Sequence, residues 1–343
     1  MAQSQLAIIG TGLIGTSVGL CLAGRKNRNY QIVGADKDRG RSREAKKMGA
    51  LDQDVGSLEE AVDKAGLVVI ATPVGAAKRI LQEIRPYLKP GTVVTDVCST
   101  KVEIMQWAEE FLPEGVHFVG GHPMAGKETS GPSGASIEMF KGATWAVTPS
   151  PKAAEEAVDV VLGLVEVAGA NALYIDPLEH DQYAAAVSHM PILISVALFR
   201  MVRDSVGWED ASLLSGPAFK DLTRLASGDP TMSRDIVGTN REAVLHWLRR
   251  YMSELSTIEK AIQLGGQPVK DLFDSTHLDR EAFIMNPPVR RRPEGVEAPS
   301  AQDAMGRLFV GGLYDKLKEA TNRVPEKRDD RELRRKLGVR DDD

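Results

Sequence analysis

Cysteine is nearly absent from this chain, with two in 343 residues, Cys21 and Cys98. They lack the spacing of metal ligands and both fall in apolar segments. No disulfide framework and no metal site are expected, and a reduced, cytoplasmic protein is. Aromatics supply only 5% of the residues while aliphatics are plentiful, which suits an α/β or helical enzyme. Basic residues are not in surplus: 43 Lys and Arg stand against 48 Asp and Glu, for a net charge of −5. That balance gives no electrostatic ground for a nucleic-acid partner. No uninterrupted apolar run reaches roughly 18 residues, so no membrane-spanning segment is expected. The N-terminus enters an apolar strand with no basic leader, so no signal peptide is expected. The length allows two domains, each with its own core.

What is present begins at residue 6. Leu6, Ala7, Ile8 and Ile9 form a short apolar run of the kind found in strands buried on both faces. Gly10-Thr11-Gly12-Leu13-Ile14-Gly15 follows, and then a helix-compatible stretch. GxGxxG between a strand and a helix is a dinucleotide-binding signature. Gly10 permits the tight turn, Gly12 lets a pyrophosphate approach, and Gly15 lets helix and strand pack closely. The helix N-terminus, with Leu13 and Ile14 in its first turn, offers free N–H groups to phosphate. The next strand ends in Asp36, at the position where a carboxylate accepts from the ribose 2′-hydroxyl and repels a 2′-phosphate. NAD is therefore the expected cofactor. Lys37 and Arg39 lie close enough to contact a phosphate, which leaves NADP open.

The alternation of strand and helix continues. Ser57 and Glu60 form a capping box. Residues 67–71 make a buried strand that ends at Thr72-Pro73, on the carboxyl edge where ligands bind in such folds. Residues 92–96 make another, and its exit loop carries Ser99. Two readings of Ser99 stand open: cap of the helix beginning near Lys101, or a hydroxyl presented to an active site. Residues 116–119 form a further strand leading to Gly120-Gly121-His122-Pro123. An isolated histidine in a Gly/Pro turn is ordinarily a structural residue. Here three strand exits, at Thr72, Ser99 and His122, converge beside the glycine loop, which favours His122 as an acid/base group. Residues 143–148 read as a closing strand, so an α/β Rossmann-type dinucleotide-binding domain is expected over 1–150.

Pro149 and Pro151 mark a change of style. One further helix and a short strand at 173–175 follow, and then strand patterns stop. Residues 151–284 are expected to form an all-α domain. Its long apolar stretches, 192–202 and 244–262, point to burial against a second copy, a homodimer. His189 follows Ser188 where Pro191 is expected to break a helix. Arg224 has two readings, an ion pair with Asp221 or Asp229, or a bidentate clamp for a carboxylate. From 285 to 343 the chain becomes a charged tail with Arg290, Arg291 and Arg292; residues 306–317 have the pattern to fold on the body of the protein.

Several motifs together resemble those of the prephenate and arogenate dehydrogenases of tyrosine biosynthesis. They are the glycine-rich start, Asp96 to Lys101, Gly121-His122-Pro123-Met124-Ala125-Gly126, His180-Asp181, Ser188-His189-Met190-Pro191 and Phe219 to Arg224. The resemblance covers residues 5–283 in order. It implies NAD-dependent oxidative decarboxylation of a cyclohexadienol acid, prephenate or arogenate. In that chemistry a base takes the ring hydroxyl proton, hydride leaves the same carbon for the nicotinamide, carbon dioxide departs and the ring becomes aromatic. It also implies His122 as the catalytic histidine, Ser99 as the serine that orients it, Arg224 as the holder of the ring carboxylate and Glu128 as an acid at the entrance. Ser188 and His189 belong to the substrate side by the same resemblance. Two positions depart from it. Ile192 stands where prephenate-using relatives often have histidine, and Ser233 where many have tryptophan, which leaves the substrate's side chain open. The tail lacks the strand pattern of a regulatory ACT domain. A β-hydroxyacid dehydrogenase would require a lysine on the first long helix of the second domain, and none is found there. A non-catalytic NAD-binding regulator would be expected to have lost Ser99, His122 or Arg224, and all three are present.

Overall fold

The computed structural model describes residues 4–25 and 28–287. Eight strands make one sheet: β1 (Ser4–Ile9), β2 (Tyr30–Ala35), β3 (Gln53–Asp54), β4 (Ala65–Ile70), β5 (Val93–Asp96), β6 (His117–Pro123), β7 (Thr144–Pro149) and β8 (Asn171–Tyr174). Their order is β3-β2-β1-β4-β5-β6-β7-β8. The first six are parallel, so each pair in sequence needs a crossover. Helices α1 (Leu13–Ala23), α2 (Arg39–Lys47), α3 (Leu58–Val62), α4 (Val74–Ile84) and α5 (Val102–Phe111) supply them in turn. Alternate strand residues feed two cores. Leu6, Ile8, Leu67 and Val69 pack on one face of the sheet; Ala7, Ile9, Val68 and Ile70 pack on the other. Strands covered on both faces explain the unbroken apolar runs. The order reverses between β1 and β4, and the loops leaving Ile9 and Ile70 diverge into a crevice at the carboxyl edge.

From the proline pair the sequence predicts a boundary at 150, but the sheet does not stop there. β7 runs antiparallel to β6. β8 then pairs in parallel with β7, from Thr144↔Asn171 to Val147↔Tyr174. The crossover between them is α6 (Glu155–Val167), whose Val160, Val161 and Leu164 join the first core. The two prolines therefore flank a turn inside the domain, which ends near Tyr174.

Beyond it lie α7 (Pro177–Ala184), α8 (Met190–Arg203), α9 (Trp208–Leu213), α10 (Pro217–Thr223), α11 (Pro230–Thr239), α12 (Arg241–Leu264) and α13 (Gln267–Met285). Pro191 does not break the helix as expected. A π-turn over Ala185–His189 carries α7 straight into α8, and the Met190 N–H donates to the Ala185 carbonyl, five residues back. The widened turn accommodates a residue that has no N–H to give. The combined helix, Pro177–Arg203, spans 27 residues and is long and apolar enough, by length and composition, to cross a membrane. Its sequence holds no long unbroken apolar run because polar residues, His180, Asp181 and His189 among them, interrupt it. All three are buried.

Helix α13 has no counterpart in the sequence expectation. None of its residues is buried, and its first turns carry an i,i+4 pair between Lys270 and Asp274 at 2.6 Å. Within the helical domain the buried apolar cluster is small, formed by Ala185, Ala243 and Val244. Leu213 and Leu214 stand 84% and 85% exposed, with Leu264 and Phe273 also on the surface. The tail residues 288–343, including Arg290, Arg291, Arg292 and the stretch 306–317, lie outside the described residues.

Candidate active site

The three glycines meet the demands their spacing implies. Gly10 has φ +93°, and a Cβ there would lie 2.5 Å from the Ala71 carbonyl oxygen. A Cβ on Gly15 would collide with the Gly10 carbonyl oxygen. A Cβ on Gly12 would meet nothing within 4 Å, so the space over it is open. Gly12 also precedes α1 with no side-chain cap, which leaves the N–H groups of the first turn, around Leu13 and Ile14, for an anion. Asp36 follows β2; its carboxylate accepts from the Thr11 N–H at 2.7 Å and the Asp38 N–H at 2.9 Å. Of the basic residues that left NADP open, Arg39 is drawn away to Asp54 at 3.1 Å, and Lys37 lines the cleft. The cleft measures about 1140 Å³ and is lined by Gly10, Gly12, Asp36, Thr72 and Pro73, with Arg234 from the helical domain. The Thr72 hydroxyl is buried there without a hydrogen-bond partner among the described residues. An open glycine, an uncapped helix and an orphaned hydroxyl around one cleft fit a dinucleotide.

His122 is not in a turn. It is the sixth residue of β6 and pairs with Ala146 on β7. The glycines before it serve packing: a Cβ on Gly121 would sit 2.6 Å from the Asp96 carbonyl oxygen and 2.8 Å from Trp145 Nε1. Beneath this point lies an ion pair between Lys101 and Asp96, both fully buried. Lys101 Nζ also donates to the Gly121 carbonyl at 2.7 Å. Asp96 accepts from the Gly121 N–H at 3.1 Å and the Cys98 N–H at 2.8 Å. The residue preceding His122 is thus held at both its N–H and its carbonyl.

His122 Nδ1 lies 2.9 Å from His180 Nε2, with the rings edge to face at 69°. His180 Nδ1 lies 2.8 Å from Asp181 Oδ1. The Asp181 carboxylate in turn accepts from the Lys101 N–H at 2.7 Å and the Val102 N–H at 2.9 Å, so it caps α5 across the domain boundary. Ser99 therefore does not cap that helix. It is half-buried in the β5 exit loop. The hydrogen-bond partner of His122 is His180, which the sequence offered only as part of a motif. Asn240, between α11 and α12, donates to the Asp181 carbonyl at 2.7 Å and lies 3.3 Å from His189 Nδ1. Neither its position nor its type stands out in the sequence. Ser188 is half-buried in the π-turn beside His189.

Burial holds His122 well below the ordinary histidine value of 6.5, and His180 and Lys101 push the same way. The imidazole is therefore neutral at pH 7 rather than half-titrated near 6.5, as its type alone suggests. Burial also pushes His189 down to about 4. Unfolded histidines take protons near pH 6.5, before these two can. Stability is then complete above that value and lost as pH falls from 6.5 toward 4. His189 alone is expected to forfeit about 2 kcal/mol at pH 5. Denaturant midpoints at pH 8 and pH 5 measure this, and equal midpoints would contradict it.

Arg224 follows α10 and pairs with Glu128, on the loop after β6, rather than with Asp221 or Asp229. Asp229 instead caps α11, accepting from the Thr231 N–H at 2.8 Å. The Arg224–Glu128 pair joins the two domains at the surface, with side-chain exposures of 56% and 36%, so solvent weakens it. Ile192 is half-buried on α8, and the Ser233 hydroxyl donates to the Asp229 carbonyl at 3.1 Å.

Two family models match the chain. Residues 20–174 match the prephenate dehydrogenase nucleotide-binding domain, and residues 176–275 match the prephenate dehydrogenase dimerization domain. Their division falls where β8 ends. The prephenate dehydrogenase of Bacillus subtilis is 31% identical over 264 residues, covering 76% of this chain and 71% of that protein. The cyclohexadienyl dehydrogenase of Zymomonas mobilis is 29% identical over 267 residues, covering 75% and 88%. Among solved structures, prephenate dehydrogenase from A. aeolicus in complex with hydroxyphenyl propionate and NAD+ superposes with a TM-score of 0.75 at 26% identity, covering 82% of this chain and 99% of that one. By its sheet order, its buried histidines and these matches over both domains, the chain belongs to the prephenate dehydrogenase family.

Proposed function

We propose that the protein converts prephenate to 4-hydroxyphenylpyruvate and carbon dioxide, with His122 as acid/base residue and NAD as the oxidant. The observation that carries this is a buried neutral imidazole whose Nδ1 is engaged by His180, while Nε2 has no protein partner among the described residues. NAD, when bound, supplies the hydride acceptor. Gly10, Gly12, Leu13, Ile14, Thr72 and Pro73 would hold its pyrophosphate end, with Gly15 keeping helix and strand close, and Asp36 its adenosine ribose. His122 Nε2 takes the ring hydroxyl proton as hydride leaves that carbon. Loss of carbon dioxide then returns the electron pair to the ring, and His122 gives the proton back to the nascent phenolate. Ser99, on the β5 exit loop, and Ser188 and His189, on the π-turn, line the substrate side. Arg224 exchanges Glu128 for the ring carboxylate.

That exchange gives a measurable expectation. Arg224→Ala removes a charge-assisted contact and should raise the substrate KM about 10- to 100-fold, with kcat affected far less. An unchanged KM would leave Arg224 as a surface ion pair only. The function itself is tested by four rates, prephenate or arogenate with NAD or NADP, following reduced nicotinamide. The highest rate is expected for prephenate with NAD. A clear preference for arogenate would move the substrate side chain, and no rate in any combination would sink the proposal.

A homodimer is proposed as well, formed through exposed apolar residues of the helical domain such as Leu213, Leu214, Leu264 and Phe273. Sedimentation should give twice the 37.2 kDa chain mass. Its two free cysteines suit the cytoplasm.

A further inference from the structure

We propose that Asp181 and His180 are positioning residues that fix the tautomer of His122, so that its lone pair stands at Nε2. This rests on the role proposed for His122. It follows from counting protons along one chain of hydrogen bonds. The Asp181 carboxylate can only accept. Oδ2 is taken by the Val102 N–H, and Oδ1 is shared by the Lys101 N–H and His180 Nδ1. His180 must therefore carry its proton on Nδ1. While His180 carries this one proton, its Nε2 is an acceptor. The atom facing it at 2.9 Å is His122 Nδ1, which must donate. The single proton of neutral His122 then lies on Nδ1, and Nε2 holds the lone pair.

This outcome is not the default. A free neutral histidine side chain prefers the proton on Nε2, the tautomer that could not act as a base toward a substrate there. The protein reverses that preference with a carboxylate two hydrogen bonds away. Such a carboxylate sets the tautomer of a catalytic histidine in hydrolases, where reversing it costs about 10⁴-fold in turnover. The arrangement also crosses the domain boundary. His122 belongs to β6 of the sheet, while His180 and Asp181 belong to α7 of the helical domain. Asp181 is seated by α5 of the first domain and by Asn240 of the second, whose amide donates to its carbonyl at 2.7 Å. The base is assembled only when both domains are docked.

The direct test reads the ring nitrogens of the whole enzyme by ¹⁵N NMR at pH 8, with and without NAD. The six histidines are assigned by single substitution. His122 is expected with a pyrrole-type Nδ1 and an imine-type Nε2, and His180 likewise. A His122 protonated on Nε2 overturns the proposal; so does a doubly protonated His180 donating to it. His180→Phe fills the same space without an acceptor. It should lower kcat about 100-fold or more with KM for NAD unchanged, and shift the His122 signal toward the Nε2–H form. His180→Gln places an amide oxygen near the lost Nε2 and should regain part of the rate. Full activity in the Phe variant overturns the proposal. The NMR result does not depend on any substrate. A correct tautomer in an enzyme inactive on prephenate would count against the proposed reaction and leave the relay standing.

Discussion

His122→Asn is expected to cut turnover by about 10²–10⁴-fold, the usual contribution of a positioned general base, while leaving NAD affinity nearly unchanged. The asparagine amide can still meet His180, since its nitrogen takes roughly the place of Nδ1. It has no group at the position of Nε2 and no lone pair of imidazole basicity. The cofactor cleft stands apart from the change: Gly10, Gly12, Asp36 and Thr72 belong to the loops after β1, β2 and β4. Titrating NAD binding by fluorescence alongside steady-state rates separates the two effects. Near-normal turnover would falsify the assignment of His122. A parallel loss of NAD binding would point to damage in the sheet edge rather than to chemistry. The pH profile of the native enzyme adds a second check. Because burial holds His122 below its ordinary value, the acid limb of kcat/KM should fall below pH 6.5.

Much of the first domain was legible because its signals are local. A run such as Leu67 to Ile70 is buried on both faces, so composition alone marks it. The GxGxxG spacing places each glycine where a backbone atom or open space demands one. The short strand near 173–175 is legible but its membership of this sheet is not, because β8 is four residues with only partial burial and its place depends on pairing with β7 across an intervening helix. His122 was found for a partly mistaken reason. The paired glycines suggested a turn, whereas Gly121 is small because Asp96 and Trp145 crowd it inside a strand. Arg224 stands out as an ion pair or a carboxylate clamp, and Glu128 through the family resemblance, but nothing in their spacing pairs them with each other. The relay was hidden for the same reason. Asp181 caps a helix about eighty residues earlier, as no local capping pattern reveals.

The largest effect on stability is expected from Lys101. Its ammonium is wholly buried and satisfied by Asp96 and by the Gly121 carbonyl. Lys101→Met keeps most of the volume but leaves the Asp96 carboxylate charged and buried, held by the Cys98 and Gly121 N–H groups without a counter-charge. Removing one partner of such a pair costs about 3–5 kcal/mol. For a chain of this size that is a fall in Tm on the order of 10 °C. The double variant Asp96→Asn with Lys101→Met removes the stranded charge and should recover a substantial part of the loss, giving a coupling energy in a double-mutant cycle. A single-variant cost below about 1 kcal/mol would mean that water reaches the carboxylate. The same experiment reaches the active site. Lys101 and Asp96 grip both sides of the residue before His122, so even folded Lys101→Met protein should turn over more slowly than native enzyme. The double variant should regain stability ahead of rate. Its introduced amide oxygen can still accept from the Gly121 N–H, but nothing replaces the donor to the Gly121 carbonyl.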